Sequence, residues 1–225
     1  MQVSPEAPPE SVPAAKAVPR PITVLGAGAW GTAVAMALAG RHDVLLWGRN
    51  GDAMAAMAAS GENSYLPGFP LPPQLRIGAD FDAAVAHASG EHGLLIAACP
   101  VAGLRPMLQQ LKDKAIGNLV WLCKGFEGGT GLLPHQIVQE VLGDNIPGGA
   151  LSGPSFAQEV ARGLPCALTI ASHDAALRAK VVSALHGGTI RVYASDDLVG
   201  VEVGGAVKNV LAIATGVADG LGLGL

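Results

Sequence analysis

The chain has 225 residues, half of them hydrophobic and 14% charged, so it can bury the core of one large domain or of one and a half smaller ones. A formal net charge of −4, with no basic stripe, argues against a nucleic-acid partner. The three cysteines, Cys99, Cys123 and Cys166, are isolated and odd in number, which predicts small hydrophobic residues in a reducing, cytoplasmic compartment.

The first twenty residues predict a disordered tail, because five prolines interrupt them and they lack the apolar segment of a signal peptide. The most apolar stretch, 198–225, contains Glu202, Lys208 and Asp219, so we expect no membrane span. The six histidines are scattered without the spacing of metal ligands, and we expect no metal.

Strand and helix patterns alternate from residue 22 onward. The predicted strands are 22–25, 44–47, 94–98, 119–123, 150–151, 167–171 and 190–192. The predicted helices are 30–39, 53–59, 81–88, 103–112, 134–142 and 175–185, with a Pro/Gly-rich loop over 60–73. Nearly continuous apolar strands separated by helices indicate an α/β fold with a doubly wound, mainly parallel sheet covered on both faces.

The first strand runs into a G-x-G-x-x-G turn formed by Gly26, Gly28 and Gly31, and an apolar helix follows at once. In such a turn the first glycine permits the tight bend, the second lets a pyrophosphate approach the backbone, and the third lets the helix pack close to the sheet. The helix N-terminus offers free N–H groups and a positive dipole end. The segment therefore predicts a dinucleotide site in a Rossmann-like domain.

The second strand ends close to Arg49, where an NAD site usually carries an Asp or Glu about 20 residues beyond the glycine turn. A guanidinium suits a ribose 2′-phosphate through bidentate, charge-assisted hydrogen bonds, so we expect NADP(H), or use of both NADP(H) and NAD(H). The alternative is that Arg49 is solvated and Asp52 makes the acidic contact, which would favour NAD(H).

Two later segments carry polar groups. Lys124 directly follows the strand 119–123, and ligands of open α/β sheets bind beyond the carboxyl ends of the strands. The segment LSGPSFA at 151–157 combines backbone N–H groups and hydroxyls, which suits an anion-contacting turn. A solvated lysine and an ordinary turn are the respective alternatives.

Lys208 lies in a long helical pattern whose other residues are apolar or small. An ammonium group on such a face is partly desolvated and suited to proton transfer, and Gly204 and Gly205 leave room for a ligand one turn earlier. A lysine that extends its charged end into water is the alternative.

These patterns divide the chain into a tail at 1–20, a nucleotide-binding domain at 21–196 and the start of an all-helical C-terminal substrate domain at 197–225. A long apolar helix needs partners that bury it. We therefore expect the sequence to contain only part of that helical domain.

Seven motifs occur in order: GAGAWGTA at 26–33, WGR at 47–49, NSYLPG at 63–68, KG at 124–125, LSGPSFAQEVA at 151–161, RVYASDD at 191–197 and GVEVGGAVKNV at 200–210. Together they resemble the bacterial NAD(P)-dependent glycerol-3-phosphate dehydrogenases, and the set is far more specific than the glycine turn alone.

The resemblance implies reversible reduction of dihydroxyacetone phosphate to sn-glycerol 3-phosphate by NAD(P)H, in the cytoplasm, as a supply for phospholipid synthesis. It implies that Lys208 transfers the proton and contacts substrate. The implied cofactor contacts are Gly26, Gly28, Ala29, Trp30, Gly31, Arg49, Lys124 and Ala157. The further implied substrate contacts are Lys124, Gly153 and Ser155. The expected partner is this small molecule, and a homodimer is left open.

Two departures from the family pattern matter. Ala29 stands where the family commonly has a serine or asparagine, which removes a side-chain hydrogen bond to the cofactor. The family also continues into a helical half with an aspartate and an Arg-Asn pair, and no segment of this sequence matches them. The alternative functions are an NADP(H)-binding fragment without catalysis and another lysine-using reductase, such as a ketopantoate reductase, against which the GPSF and GGAVKN motifs argue.

Overall fold

A computed structural model describes residues 18–223, except for the side chain of Asn209. The predicted tail at 1–20 thus lies mostly outside the described residues. The strands, numbered β1–β10 in chain order, are Pro21–Leu25, Asp43–Trp47, Glu62–Asn63, Leu66–Pro70, Arg76–Gly78, Leu94–Ala97, Leu119–Trp121, Gly148–Ser152, Cys166–Ala171 and Ile190–Ser195. The helices α1–α8 are Ala29–Ala39, Gly51–Ser60, Phe81–His87, Val101–Leu111, Pro134–Leu142, Ala157–Ala161, Ala175–Leu185 and Leu198–Gly220.

The main sheet has eight strands in the order β10-β9-β8-β7-β6-β1-β2-β5. Strand β1 pairs in parallel with β2 on one side and with β6 on the other. The strand order therefore changes direction between β1 and β6. Open α/β sheets form a ligand crevice at such a switch point. The predicted doubly wound, mainly parallel sheet is confirmed, with one antiparallel pair between β8 and β9.

Both faces of the sheet are buried, because successive strand side chains point to opposite sides. On β1, Ile22 and Val24 belong to the apolar cluster that contains Leu38 of α1. The next residue, Leu25, belongs to the cluster on the other face, together with Leu104 of α4 and Trp121 of β7. Because the side chains on both faces of these strands are buried, the strands appear in the sequence as continuous apolar segments.

The segment 60–73, predicted as a loop, instead contains an antiparallel hairpin of β3 and β4. Asn63 is buried, and its Nδ2 donates hydrogen bonds to Thr32 Oγ1 at 2.6 Å and to the Ala27 carbonyl at 3.0 Å. Leu66 is buried as well. These contacts hold the hairpin against the turn between β1 and α1.

Helix α8 begins at Leu198, after Asp197 accepts a capping hydrogen bond from the Gly200 N–H at 2.7 Å. Its first half packs on β8 and β9, and Leu198 and Glu202 are buried there. In its second half the apolar side chains are exposed, and these are Val210, Leu211, Ile213 and Val217. The assignment of 197–225 to a separate domain stays a prediction.

Within residues 18–223 no single helix is both long enough and apolar enough to cross a bilayer. The two parts of α8, Leu198–Lys208 and Val210–Gly220, meet the requirements of length and composition only as a pair bent by 42°.

Candidate functional site

The glycine turn after β1 shows which glycines serve packing and which leaves open space. A Cβ on Gly26, whose φ is +132°, would lie 2.4 Å from the Ala98 carbonyl oxygen. A Cβ on Gly31 would lie 2.1 Å from the Gly26 carbonyl oxygen. At Gly28, no heavy atom of the described residues other than its chain neighbours lies within 4 Å of that position. The open space lies at the N-terminus of α1, where free N–H groups favour an anion, so the turn fits a pyrophosphate.

The end of β2 lies beside this turn. A Cβ on Gly48 would approach the Ala27 Cβ to 3.1 Å, so the two turns are in close contact. Arg49 follows and is exposed, and Asn50 then caps α2 by accepting a hydrogen bond from the Ala53 N–H at 3.1 Å. Asp52 is also exposed in the first turn of α2, so the assignment of Arg49 to a 2′-phosphate stays a prediction.

A cleft of about 290 Å³ lies at the carboxyl edge of the sheet. Three of the residues predicted from the sequence line it: Trp30 from α1, Lys124 after β7 and Ser155 from the turn after β8. Its other lining residues are Cys99, Pro100, Leu122 and Cys123. The fold therefore brings the first helix, Lys124 and the predicted anion-contacting turn to one cleft.

Lys124 and Lys208 carry the positive charge of this region. The Lys124 ammonium donates a hydrogen bond to the Gly153 carbonyl at 3.1 Å. The Lys208 ammonium lies 5.5 Å from the centroid of the Phe156 ring, above its face. Desolvation, together with the charge of Lys208, lowers the pKa of Lys124 below its ordinary value of 10.5. An anionic ligand would relieve this repulsion.

The two glycines before Lys208 have different surroundings. A Cβ on Gly205 would lie 2.9 Å from Ser152 Oγ and 3.5 Å from Lys124 Cγ, so the helix closely approaches the ends of β7 and β8. The expectation that Gly205 leaves room for a ligand is therefore wrong, because protein atoms fill that space. Gly204 is exposed, and apart from its own helix backbone and chain neighbours no heavy atom of the described residues lies within 4 Å of its Cβ position.

The remaining predicted cofactor contacts meet where α6 packs on α1. Ala29, Trp30 and Ala157 are partly buried against the same apolar cluster. Gly153 is held close to β9, since its Cβ would lie 2.4 Å from the Ala167 carbonyl oxygen. These placements agree with a shared site, while the individual roles stay predictions.

Two of the three cysteines line the cleft, and the third, Cys166, is buried elsewhere in the core. Burial raises the pKa of the Cys99 thiol to about 11, and it also raises the pKa of Cys123. Both thiols are thus neutral near pH 7. In the part of the chain that the structure describes, no three His, Cys, Asp or Glu side chains are arranged to hold a metal ion.

Sequence reasoning missed Glu202. Its side chain is 2% exposed and accepts hydrogen bonds from Trp121 and His135. The available signal was a carboxylate within the otherwise apolar or small segment GVEVGGAV, on the part of the helix that packs against the sheet.

Comparison with known proteins identifies both parts of the chain. The family model described as the NAD-dependent glycerol-3-phosphate dehydrogenase N-terminus matches residues 21–178, and the corresponding C-terminus model matches residues 197–225. A glycerol-3-phosphate dehydrogenase [NAD(P)+] from Paucimonas lemoignei is 69% identical over 205 residues, which are 91% of this chain and 61% of that protein. The protein of the same name from Janthinobacterium is 66% identical and is covered to 62%.

Solved structures agree with these matches. The crystal structure of glycerol-3-phosphate dehydrogenase from Coxiella burnetii has a TM-score of 0.80 at 39% identity, over 92% of this chain and 63% of that one. A yeast glycerol-3-phosphate dehydrogenase has a TM-score of 0.77 at 27% identity, over 92% of this chain and 65% of that one. The chain thus spans a little over three fifths of the curated relatives it matches.

Proposed function

Because the chain belongs to the NAD-dependent glycerol-3-phosphate dehydrogenase family, we propose that it acts in the NAD(P)H-dependent interconversion of dihydroxyacetone phosphate and sn-glycerol 3-phosphate. The observation that carries this proposal is the meeting of Lys124, Lys208 and the 153–155 turn beside the glycine turn. This arrangement offers one place for a dinucleotide and a neighbouring place for a small phosphorylated molecule.

Gly28 and the N-terminus of α1 hold the cofactor pyrophosphate in this proposal, while Gly26 and Gly31 keep the turn close to the sheet. Arg49 binds the ribose 2′-phosphate, and Ala29, Trp30 and Ala157 line the cofactor side of the cleft. When bound, the nicotinamide supplies or accepts the hydride. The open space over Gly28 supports the fit of such a ligand.

Lys124, Gly153 and Ser155 bind the substrate in this proposal. Lys124 contributes a charged donor and is already oriented by its hydrogen bond to Gly153. Lys208 donates a proton from Nζ to the oxygen on C2 as that atom gains negative charge, and it accepts the proton in the reverse direction. The aromatic face of Phe156 holds the Lys208 ammonium by a cation–π contact.

For the cellular role, we propose that the reaction takes place in the cytoplasm and supplies glycerol 3-phosphate for phospholipid synthesis. The absence of a basic stripe in the sequence supports small molecules rather than nucleic acid as partners. A homodimer is left open.

The test combines binding with turnover. NADPH binding to the purified chain is followed by nucleotide fluorescence, and NADPH oxidation is then followed at 340 nm with dihydroxyacetone phosphate or ketopantoate. We expect NADPH to bind and to be oxidised with dihydroxyacetone phosphate only. A faster reaction with ketopantoate, NADPH binding without any turnover, or no NADPH binding would each overturn the proposal for this chain.

A further inference from the structure

Glu202 is a buried carboxylate that joins three elements of the fold. Its Oε1 accepts hydrogen bonds from Trp121 Nε1 at 2.8 Å and from the His135 backbone N–H at 3.0 Å. Its Oε2 lies 2.5 Å from His135 Nδ1. The side chain is 2% exposed. One carboxylate therefore ties α8 to the end of β7 and to the beginning of α5.

These contacts supply an acceptor from another helix for a backbone N–H in the first turn of α5. The residue before α5 is Leu133, whose side chain has no hydrogen-bond acceptor. Gln136 Oε1 accepts the Leu133 N–H at 2.9 Å, while the His135 N–H is accepted by Glu202 from another helix. Glu202 accepts the N–H of the second residue of α5 and places negative charge at the positive end of the helix dipole. A buried carboxylate is costly unless donors surround it, and here they do.

The Trp121–Glu202 hydrogen bond joins the two segments that carry Lys124 and Lys208. Trp121 is the last residue of β7, three residues before Lys124. Glu202 precedes Lys208 by six residues of α8, or about 9 Å along the helix axis. Between them, Gly205 lies against Ser152 and against the aliphatic stem of Lys124. The Trp121–Glu202 bond and the Gly205 contact together fix how far α8 lies from the segment that carries Lys124.

We propose that Glu202 is a positioning residue that sets the separation of the Lys124 and Lys208 ammonium groups, and so shapes the anion site between them. This inference rests on the proposed function only for the identity of the anion. The separation of the two charges is a property of the chain itself, and it can be measured without cofactor or substrate.

Lys124 can report that separation, because the charge of Lys208 is one of the two causes that lower its pKa, the other being desolvation. The other groups at Lys124 are the Gly153 carbonyl and the thiols of Cys99 and Cys123, which are neutral near pH 7. Glu202 itself faces His135 and Trp121, and its charge is felt at Cys123.

The experiment titrates Lys124 by competitive acetylation with trace acetic anhydride between pH 7 and 11, quantified by peptide mass spectrometry. Lys208→Met should raise the pKa of Lys124, and Glu202→Leu should raise it by a smaller amount, because the loss of the Glu202 charge acts in the opposite direction. The double variant should show no further rise beyond Lys208→Met, since both changes remove the same repulsion. Glu91→Gln, which changes an exposed carboxylate on the surface, is the matched control and should leave Lys124 unchanged.

The proposal would be overturned if the pKa of Lys124 in folded Glu202→Leu equals that of the parent protein while Lys208→Met raises it. A Lys208→Met variant without any shift would also overturn it, because the two ammonium groups would then not interact. If circular dichroism shows that Glu202→Leu does not fold, Trp121→Phe takes its place, because it removes only one of the donors to Glu202. It should raise the Lys124 pKa by a smaller amount. If the Lys124 pKa does not rise in Trp121→Phe, the proposal is overturned. Failure of NADPH binding or turnover would leave this titration intact, so the two failures are distinguishable.

Discussion

Arg49 is the residue on which cofactor choice depends in the proposed site. Replacing it with alanine should weaken NADPH binding by about 10- to 100-fold, since a hydrogen bond to a charged group contributes about 1.5–3 kcal/mol. NADH binding should change little, because that cofactor lacks the 2′-phosphate. Fluorescence titration with both cofactors measures the difference. Arg191→Ala, which removes an exposed arginine on β10, is the control, and equal losses for both cofactors would assign Arg49 another role.

Lys208 is the proposed proton donor, so replacing it should lower the catalytic rate without weakening cofactor binding. In catalytically active protein, Lys208→Ala should lower kcat by about 10²–10⁴-fold, the usual contribution of general acid–base catalysis. NADPH affinity should remain near that of the parent protein. Steady-state kinetics and NADPH titration measure the two effects. Lys112→Ala, at an exposed lysine, should leave both unchanged. Near-normal turnover of Lys208→Ala would remove Lys208 from the mechanism.

Single residues were predictable from the sequence where a motif implies a position at the carboxyl edge of the sheet. Lys124 and Ser155 are examples, since strand ends converge in a parallel sheet. Glu202 was not predictable, because its partners lie 81 and 67 residues away and no local pattern specifies them. Gly205 was misread for a similar reason, since only the packed structure shows that Ser152 and Lys124 occupy its space.

At the scale of elements, the loop after β7 is held by an ion pair. Arg105 of α4 binds Glu127 with two hydrogen bonds, from Nε at 2.7 Å and from Nη2 at 2.9 Å, and Thr130 donates a third at 2.6 Å. The loop follows Gly125, whose φ is +105°. These hydrogen bonds, above all those from Arg105, lower the pKa of Glu127 to about 2. The segment after Lys124 is therefore held at Glu127.

The lowered pKa predicts how this ion pair responds to acid. Its stabilising contribution is complete above the ordinary glutamate pKa of 4.5 and is lost as the pH falls from there towards 2. Glu127→Gln should therefore have a lower urea midpoint than the parent protein at pH 7, and the difference should shrink below pH 4.5. Urea unfolding at a series of pH values measures it. Asp144→Asn, at an exposed loop position, should show no such trend, and a constant difference for Glu127→Gln would contradict the assignment.

The elements that the sequence predicted best are those with a complete local signal. Helices Pro134–Leu142 and Ala175–Leu185 match their predicted bounds at both ends. The hairpin Glu62–Pro70 was missed because β3 has only two residues and β4 contains two prolines and a glycine. The five residues of α6 are too few to show a helical period. The antiparallel direction of β9 was also hidden, since an apolar strand has the same pattern in either direction.

For the whole molecule, the proposed cofactor site predicts a thermal shift. NADPH at 100 times its dissociation constant stabilises the folded state by about 2.7 kcal/mol. In a chain of this size that corresponds to a rise in Tm of about 5–11 °C. Glycerol 3-phosphate alone should leave Tm unchanged, because most of the proposed contacts of the bound state belong to the cofactor. Differential scanning fluorimetry measures both.

Gly28→Asp is the matched variant for this measurement. The Cβ position of Gly28 is open, and its φ of −75° suits any residue, so the variant should have the parent Tm without ligand. Its carboxylate would repel a pyrophosphate, and NADPH should no longer raise Tm. An equal rise in the variant would mean that NADPH binds elsewhere.

The hydrogen bond between Trp121 and Glu202 also orders events during synthesis. The two residues are 81 positions apart, and ribosomes add about 5–20 residues per second, so Glu202 emerges about 4–16 s after Trp121. By then the ribosome has completed β1, β2, β6 and β7, which can pair. The indole N–H of Trp121 and the first turn of α5 do not yet have Glu202 as their acceptor. The glycine turn thus has its neighbours well before Lys208 reaches Lys124, and the nascent chain acquires the proposed dinucleotide site before the proposed acid–base group.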